Sequence, residues 1–218
     1  MTKMLKSIIA GAAVLIGACF IGQTQPVQAA DDYALRLAED NQWYYYQDDE
    51  VDTAYQGLAL NEYGWWYVSD GTIDWDYAGM ALNDYGWWYV SNGTVDFNYT
   101  GMALNEYGWW YFNNGVLDLS YTGMALNDYG WWYFNNGQLN LTFNGLADNE
   151  YGTWFYTNGQ LNFGFTGMLI PDDRWLYVRN GQVLTDYTGM AVNEYGWWYF
   201  KDGQLDFSYT GMACNEYG

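Results

Sequence analysis

Hydrophobic and polar positions alternate along most of this chain, in short runs that end at Asn-Gly or Asp-Gly. Aromatic and β-branched residues flank Asp70-Gly71, and the same arrangement recurs at Asn92-Gly93, Asn114-Gly115 and Asn136-Gly137. These pairs suit a type I′ turn, because both central residues of that turn need a positive φ. The pattern therefore predicts a series of β-hairpins.

A glycine marks the same point of every hairpin, and consecutive copies lie 22 residues apart. A constant period of this length is typical of a solenoid, in which each unit packs mainly on its neighbours. We therefore expect an all-β fold, a solenoid of stacked β-hairpins with a 22-residue repeat. Each unit is named below by its first glycine. These glycines are Gly57, Gly79, Gly101, Gly123, Gly145, Gly167, Gly189 and Gly211.

A two-residue turn at Asp70-Gly71 fixes a predicted register for the Gly57 unit. The expected pairs are Val68 with Ile73, Tyr67 with Asp74, Trp66 with Trp75, and Trp65 with Asp76. Side chains alternate between the two faces of a strand. The face expected to pack inward carries Trp66, Val68, Ile73, Trp75 and Tyr77. The face expected to be solvated carries Trp65, Tyr67, Thr72, Asp74 and Asp76.

A second turn repeats in each unit as Asn, an acidic residue, Tyr and Gly, first at residues 61–64. These residue types are typical of loops, and the glycine tolerates a positive φ. The preceding Gly-Met-Ala-Leu or Gly-Leu-Ala-Leu segment places Met80 or Leu58 just after the repeat glycine. We expect these flexible apolar side chains to fill the gap between successive hairpins.

The solvated face supplies the candidate ligand-binding residues. A Trp and a Tyr two residues apart lie on one face, opposite an Asp. The set comprises Trp65, Tyr67 and Asp74; Trp87, Tyr89 and Asp96; Trp109, Tyr111 and Asp118; Trp197, Tyr199 and Asp206; and the partial copy Trp131 and Tyr133 with Asn140. A sugar could stack on the rings and hydrogen-bond the carboxylate. A quaternary ammonium could bind the same rings through cation–π attraction. Alternatively, these aromatics pack on a neighbouring hairpin as core residues.

The Gly167 unit departs from the pattern but keeps the period. Its loop is Ile170-Pro171-Asp172-Asp173-Arg174, and Leu184 replaces the Asp that follows Trp175 and Tyr177 in the ligand-binding pattern.

Residues 1–29 are typical of a secretory signal, with Lys3 and Lys6 before an apolar run and Val27-Gln28-Ala29 as a cleavage site. A retained anchor is one alternative. Another is a lipoprotein anchored through Cys19, because residues 16–19 resemble a lipobox.

After the signal, we expect a short N-terminal leader at residues 30–42 and the repeats at residues 43–218. There are about eight units, and the last is incomplete. The chain stops where Trp-Trp-Tyr should follow, so we expect a fragment, with a half-unit that closes the stack as the alternative.

The charge balance narrows the possible partners. The chain has 6 basic and 26 acidic residues. Nucleic acids and anionic membrane surfaces require basic patches, so both are excluded as partners. Cationic or neutral ligands remain compatible. Aromatic residues make up 22% of the chain, and this excess predicts exposed aromatic surface.

Catalysis and cofactors are not expected. The chain has no His, which removes His-activated nucleophiles and the usual zinc ligand sets. Nearly every carboxylate belongs to a repeated series, so no catalytic pair stands out. One carboxylate per loop is too few for a calcium site. We expect Cys214 to be a core substitution, because Leu or Val occupies this position in most units.

The motif Gly-Trp-Trp-Tyr-x-x-Asn-Gly, followed by an aromatic strand and Tyr-Thr-Gly, resembles the cell-wall-binding repeats of Gram-positive surface proteins, of the choline-binding and glucan-binding type. The resemblance covers residues 43–218. It implies a β-solenoid in which aromatics of neighbouring hairpins form cages for choline or surfaces for glucan. Here Met80 and its equivalents stand where that family has a Trp of the choline cage.

The resemblance implies a secreted protein of the cell surface or cell wall, with no membrane insertion after signal removal. Its expected function is non-catalytic binding of a wall polymer, which could be teichoic acid, a peptidoglycan-linked glycan or glucan. The alternative is a structural stalk or a protein-binding adhesin repeat of a larger surface protein. A binder should expose Trp65, Trp87, Trp109 and Trp197 in a continuous track, whereas a stalk should bury them.

Overall fold

The computed structural model describes residues 33–215, and its regular structure is β-strand except for one 3-10 turn at Pro171–Asp173. The predicted all-β solenoid of stacked hairpins is confirmed, with strands recurring at the predicted 22-residue spacing. Neither the signal segment at residues 1–29 nor Cys19 lies within the described residues.

Each full repeat contains three strands. The first strands are β4 (Gly57–Asn61), β7 (Gly79–Asn83), β10 (Gly101–Asn105), β13 (Gly123–Asn127), β16 (Gly145–Asn149), β19 (Gly167–Leu169) and β22 (Gly189–Asn193). The second strands are β5 (Gly64–Ser69), β8 (Gly86–Ser91), β11 (Gly108–Asn113), β14 (Gly130–Asn135), β17 (Gly152–Thr157), β20 (Leu176–Arg179) and β23 (Gly196–Lys201). The third strands are β6 (Thr72–Ile73), β9 (Thr94–Val95), β12 (Val116–Leu117), β15 (Gln138–Leu139), β18 (Gln160–Leu161), β21 (Gln182–Val183) and β24 (Gln204–Leu205).

An additional unit precedes the first repeat glycine. It contains β1 (Leu35–Leu37), β2 (Trp43–Gln47) and β3 (Glu50–Val51). Strand β1 pairs with β2, and Leu35 is buried against the next unit. The repeated architecture therefore begins at Leu35, inside the segment expected to be a leader.

The longest hairpin of each unit forms at the Asn-acidic-Tyr-Gly turn. Strands β4 and β5 pair over five residues there, whereas the Asp-Gly turn joins β5 to only two residues of β6. The predicted pair Val68 with Ile73 is confirmed, but the pairs of Trp66 with Trp75 and Trp65 with Asp76 are wrong. The third strand ends because the Asp74 carboxylate accepts the Asp76 N–H at 3.1 Å and turns the chain.

Backbone hydrogen bonds connect successive units. Trp66 of β5 pairs with Thr94 in the next unit, and Tyr67 N–H donates to the Gly93 carbonyl at 2.8 Å. Repetition of this contact joins β1 to β21 into one 21-stranded antiparallel sheet, while β22 to β24 form a separate sheet.

The type I′ geometry predicted for the Asn-Gly turns is confirmed. Asn92 has a φ of 52° and Gly93 a φ of 73°. A Cβ at Gly93 would lie 2.5 Å from the Asp74 carbonyl oxygen of the preceding unit. Glycine is therefore required both by the turn and by the close approach of the neighbouring chain.

The core lies between units and covers both faces of each hairpin. Leu58 of one unit packs with Ala81, Val90 and Val95 of the next. The predicted role of the residue after the repeat glycine is confirmed, since Leu58 and Met80 are buried at successive junctions.

The stacking of units changes the predicted assignment of one buried face and one solvated face to each hairpin. Trp65 and Tyr67, expected to be solvated, are half-buried against the next unit. Trp75, expected to pack inward, is 51% exposed because it lies on the turn that follows β6. Cys214, expected to be a core residue, is also exposed. Leu82, Leu104 and Val192 occupy the same position of the repeat and are exposed as well.

Candidate functional site

The Asn-acidic-Tyr-Gly turns present a tyrosine to solvent in a fixed orientation. The Asn61 side-chain oxygen accepts the Tyr63 N–H at 2.8 Å and the Trp66 indole N–H at 2.9 Å. These bonds tie the turn to the second strand, and the same pair recurs at Asn83, Asn105, Asn127, Asn149 and Asn193. The exposed tyrosines are Tyr63, Tyr85, Tyr107, Tyr129, Tyr151 and Tyr195.

At three junctions, the first Trp of one unit meets the exposed Tyr of the next. Trp65 and Tyr85 are 6.0 Å apart between ring centroids, at an interplanar angle of 71°. Trp43 with Tyr63 and Trp131 with Tyr151 have similar geometry, at 6.0 and 6.5 Å. Each Trp is half-buried and each Tyr exposed, so the two rings form an aromatic corner at the junction. We call this arrangement the junction pair.

A carboxylate adjoins each exposed tyrosine. Glu62, Asp84, Glu106, Asp128, Glu150 and Glu194 precede these tyrosines in the sequence. A hydrogen bond to Glu150 raises the pKa of the Tyr151 hydroxyl, and Glu194 has the same effect on Tyr195. The junction pair therefore combines two aromatic rings with a negative charge.

A leucine extends the apolar surface along the same edge. Leu82 is 53% exposed and pairs with Trp87 across the hairpin. Leu104 and Leu126 occupy the equivalent positions beside Trp109 and Trp131. We call the exposed tyrosines, first tryptophans and these leucines together the turn-edge track.

The structure separates the roles of the other candidate residues. Tyr67 stacks on Tyr77 with centroids 3.5 Å apart, and the Tyr77 hydroxyl donates to the Met80 carbonyl at 2.6 Å. Burial raises the pKa of Tyr77 to about 12. These contacts give the tyrosine pair a structural role at the junction.

The equivalent tyrosine pairs are Tyr89 with Tyr99, Tyr111 with Tyr121, Tyr177 with Tyr187 and Tyr199 with Tyr209; Tyr133 stacks on Phe143 instead. Burial likewise raises the pKa values of Tyr99 and Tyr121 to about 12.

The Asp of each predicted set caps a turn. Asp74, Asp96, Asp118 and Asp206 each accept the backbone N–H two residues later through one carboxylate oxygen. A serine hydroxyl and this backbone bond lower the pKa of Asp206. One oxygen of each carboxylate is thus engaged in the fold.

Sequence reasoning missed the exposed tyrosines. Each lies between an acidic residue and Gly in the second repeated turn, so its regular recurrence in a loop was the available signal. A second exposed row was also missed. It comprises Trp75, Phe97, Leu119, Leu141, Phe163 and Phe207.

Comparison with known protein families shows to which family this chain belongs. A model described as a choline-binding repeat matches six segments that together cover more than half of the chain. The chain belongs to the choline-binding repeat family. The six matches are residues 54–74, 76–96, 98–118, 120–140, 142–162 and 186–206. The matches omit residues 163–185, which include most of the Gly167 unit.

Solved structures with detectable similarity to this chain include the following three. Choline binding protein F from Streptococcus pneumoniae is 17% identical over 78% of this chain and 65% of its own, with a TM-score of 0.29. An alternansucrase in complex with isomaltononaose is 14% identical over 82% of this chain and 14% of its own, with a TM-score of 0.31. The modular autolysin LytC from Streptococcus pneumoniae is 14% identical over 79% of this chain and 46% of its own, with a TM-score of 0.27.

The chain spans at most 65% of the length of these three structures. A comparison with curated proteins gave no match. Within residues 33–215, no helix has the length and apolar character needed to cross a membrane.

Proposed function

We propose that this chain is a secreted, non-catalytic module that attaches to the bacterial cell wall by binding quaternary ammonium groups of a wall polymer. Choline carried by teichoic acid is the ligand that fits best, and a peptidoglycan-linked glycan or glucan is the alternative polymer. Secretion rests on the sequence of residues 1–29. The absence of His supports a binding role over catalysis.

The observation that carries this proposal is the junction pair. Trp65 and Tyr85 present two rings at a steep angle, with the Asp84 carboxylate next in sequence to the Tyr. Quaternary ammonium ligands bind over aromatic faces, and each such contact contributes roughly 0.5–2 kcal/mol. The Met that replaces the Trp of the family cage is buried in the core, as Met80 shows. In the proposed site, the exposed Tyr is the second ring beside the first Trp.

Charge supports a cationic ligand. Acidic residues outnumber basic ones by 26 to 6, and no Lys or Arg lies between Arg36 and Arg174. The regular units thus surround the junction pairs with negative potential, which favours association with cations and is screened by salt.

Repetition converts weak sites into firm attachment. A single aromatic corner binds weakly, but several corners on one polymer raise the apparent affinity by roughly 10²–10⁴-fold when the spacing permits simultaneous binding. Three junction pairs, Trp43 with Tyr63, Trp65 with Tyr85 and Trp131 with Tyr151, lie along one continuous sheet. A multivalent wall polymer is therefore a better match than a small soluble ligand.

The stalk function is the second candidate. It is favoured by the burial of both faces of each hairpin, because the first tryptophans Trp65, Trp87 and Trp109 are only half-exposed between units. A stalk needs the packing but not the exposed tyrosines.

The deciding experiment is co-sedimentation of the protein with purified choline-containing Gram-positive cell walls. Free choline and soluble glucan serve as separate competitors. The test variant combines Tyr63→Ala, Tyr85→Ala and Tyr151→Ala, which removes the tyrosine of each junction pair. The matched control combines Phe97→Ala, Leu119→Ala and Leu141→Ala, which removes similarly exposed side chains from the other row.

We expect choline to release the wild-type protein and the tyrosine variant to bind at least tenfold more weakly, while the control variant binds normally. Release by glucan alone would assign the track to a polysaccharide. A folded protein that does not sediment, or equal loss in both variants, would overturn the proposal and favour the stalk.

A further inference from the structure

The junction between the Gly167 and Gly189 units differs from the others. At six preceding junctions, a backbone N–H of the second strand donates to the turn glycine of the next unit, as Phe155 N–H does to the Gly181 carbonyl at 2.7 Å. In the described structure the equivalent bond between Tyr177 and Gly203 is not formed. Strand β20 consequently does not pair with β24, and the sheet divides there.

Leu184 explains the break. At this position the other units have Asp or Asn, whose side-chain oxygen caps the following turn, as Asn162 does by accepting the Gly164 N–H at 3.0 Å. Leucine has no such oxygen, so the turn relaxes. A Cβ at Gly203 would meet the Thr185 carbonyl, whereas at the preceding junction a Cβ at Gly181 would meet that of Asn162. Leu184 is the equivalent of Asn162, so the carbonyl that faces the turn glycine here belongs to the next residue along the chain.

At the same junction, and within the described residues, the Gln204 side-chain amide lacks a hydrogen bond that the equivalent glutamines make. Gln138, Gln160 and Gln182 each donate to the carbonyl of a turn tyrosine in the preceding unit, at 3.4, 3.1 and 2.9 Å. The Gly167 unit has the 3-10 turn Pro171–Asp173 in place of that tyrosine turn. Among the described contacts Gln204 makes no equivalent bond, and its side chain is exposed.

A cavity of about 360 Å³ opens where the ladder is missing. Its lining combines apolar and aromatic side chains, including Trp175, Leu205 and Phe207, with the polar groups of Arg174, Asp202 and Gln204. Small-molecule sites in proteins are mostly apolar pockets of roughly 300–1,000 Å³ with a few placed polar groups. The cavity lies within that range.

The polar groups define the ligand chemistry. Arg174 forms no ion pair within the part of the chain that the structure describes. Opposite charges at Arg174 and Asp202 favour neither a simple anion nor a simple cation. A guanidinium donates, a carboxylate accepts and the Gln204 amide does both. Hydroxyl groups, which donate and accept, satisfy all three, and an aromatic ring accommodates the apolar face of a sugar.

We propose that this cavity is a saccharide-binding site, distinct from the junction pairs. One side of the cavity, at residues 174–185, lies between the last two segments matched by the choline-binding repeat model, and the other side, at residues 202–205, lies within the last of them. Trp175, whose ring lies 5.2 Å from that of Trp198, forms an aromatic wall, and Arg174, Asp202 and Gln204 bind the hydroxyls. One module thus carries two kinds of site along its length.

The test is calorimetric titration of the protein with chitotetraose, cellotetraose and isomaltotetraose, supported by NMR of the Trp indole N–H groups. Leu184→Asp restores the turn cap, so we expect it to close the cavity and to lower saccharide affinity at least tenfold without unfolding the protein. Trp175→Ala should lower affinity by a similar factor. Leu141→Asp makes the same change at an exposed position of a regular unit and should leave binding unchanged.

Choline titration of the same variants separates this site from the proposed wall attachment. Leu184→Asp should leave choline binding at the regular junctions intact. The saccharide site is refuted if the folded wild-type protein binds none of the three oligosaccharides at millimolar concentration, or if Leu184→Asp binds them as well as the wild type. Neither result would affect the choline proposal.

Discussion

At the scale of the residue, the tyrosines divide into two groups that their sequence context barely distinguishes. Tyr77 and Tyr99 are half-buried, stacked and hydrogen-bonded to a backbone carbonyl. Tyr85 and Tyr107 project from turns into solvent. The first group holds units together, whereas the second is available to a ligand.

Removing the hydroxyl of a stacked tyrosine should weaken the fold modestly. In Tyr99→Phe the ring stack remains, but the Met102 carbonyl loses a donor that lies 2.6 Å away. We expect a loss of about 1 kcal/mol in the free energy of unfolding, measured by urea titration. Phe143 occupies the same position naturally. Tyr107→Phe, at an exposed tyrosine, serves as the control and should cost almost nothing.

Alkaline pH should unfold the protein. Burial raises the pKa values of Tyr77, Tyr99 and Tyr121 from 10.0 to about 12, so the folded state favours the neutral phenol. Their contribution to stability is complete below pH 10.0 and is lost as the pH rises toward about 12. Phenolate absorbance and circular dichroism should change together in that interval. Complete ionisation of all tyrosines near pH 10.0 with the fold intact would contradict this.

At the scale of the element, the turns determine where strands begin and end. The Asn-Gly turns have the positive φ values that type I′ geometry requires, and the Asp after each third strand ends pairing by capping the next turn. Both features arise from local chemistry. The partner of each strand does not, since Trp66 pairs with Thr94 of the following unit.

A methyl group at a turn glycine should disrupt the stack. In Gly115→Ala the new Cβ would lie 2.4 Å from the Asp96 carbonyl oxygen, at a residue whose φ is +75°. We expect a loss of more than about 2 kcal/mol in stability, measured by thermal and urea unfolding. Gly86→Ala is the control, because no atom lies within 4 Å of its Cβ position, although its φ of +127° is also unfavourable. Equal losses of stability in the two variants would show that backbone strain, and not the contact between units, causes the destabilisation.

At the scale of the whole molecule, the solenoid is one sheet that divides once. The backbone ladder runs from β1 to β21. The last unit is joined to it by a turn hydrogen bond, from the Gly203 N–H to the Tyr187 carbonyl at 2.9 Å, and by side-chain packing that includes the contact of Trp175 with Trp198. The final unit should therefore open more readily than the rest.

Amide hydrogen exchange tests this division directly. Tyr177 N–H lacks the bond to the following turn glycine that Tyr133 and Phe155 retain. We expect Tyr177 to exchange at least tenfold faster than these two residues, and Leu184→Asp to restore its protection. Equal protection of all three amides in the wild-type protein would mean that the ladder is continuous.

The sequence alone determined the period, the all-β class, the type I′ turns and the buried role of the Leu or Met after the first four repeat glycines. These follow from short-range rules, because turn residues and alternating apolar positions encode local geometry. The candidate site was predicted only in part. The first tryptophans Trp65 and Trp131 do lie in junction pairs, but their partners are turn tyrosines that the sequence pattern did not single out.

Only the tertiary structure decided which aromatics face solvent. Trp65 and Tyr67 are half-buried although they alternate with inward residues, while Trp75 is exposed. The physical reason is that stacking covers both faces of a hairpin, so exposure depends on the neighbouring unit and not on strand periodicity. The sequence showed that Leu184 replaces the usual Asp or Asn, but it did not show that the sheet divides there. That division depends on the contact between a carbonyl of one unit and the turn glycine of the next.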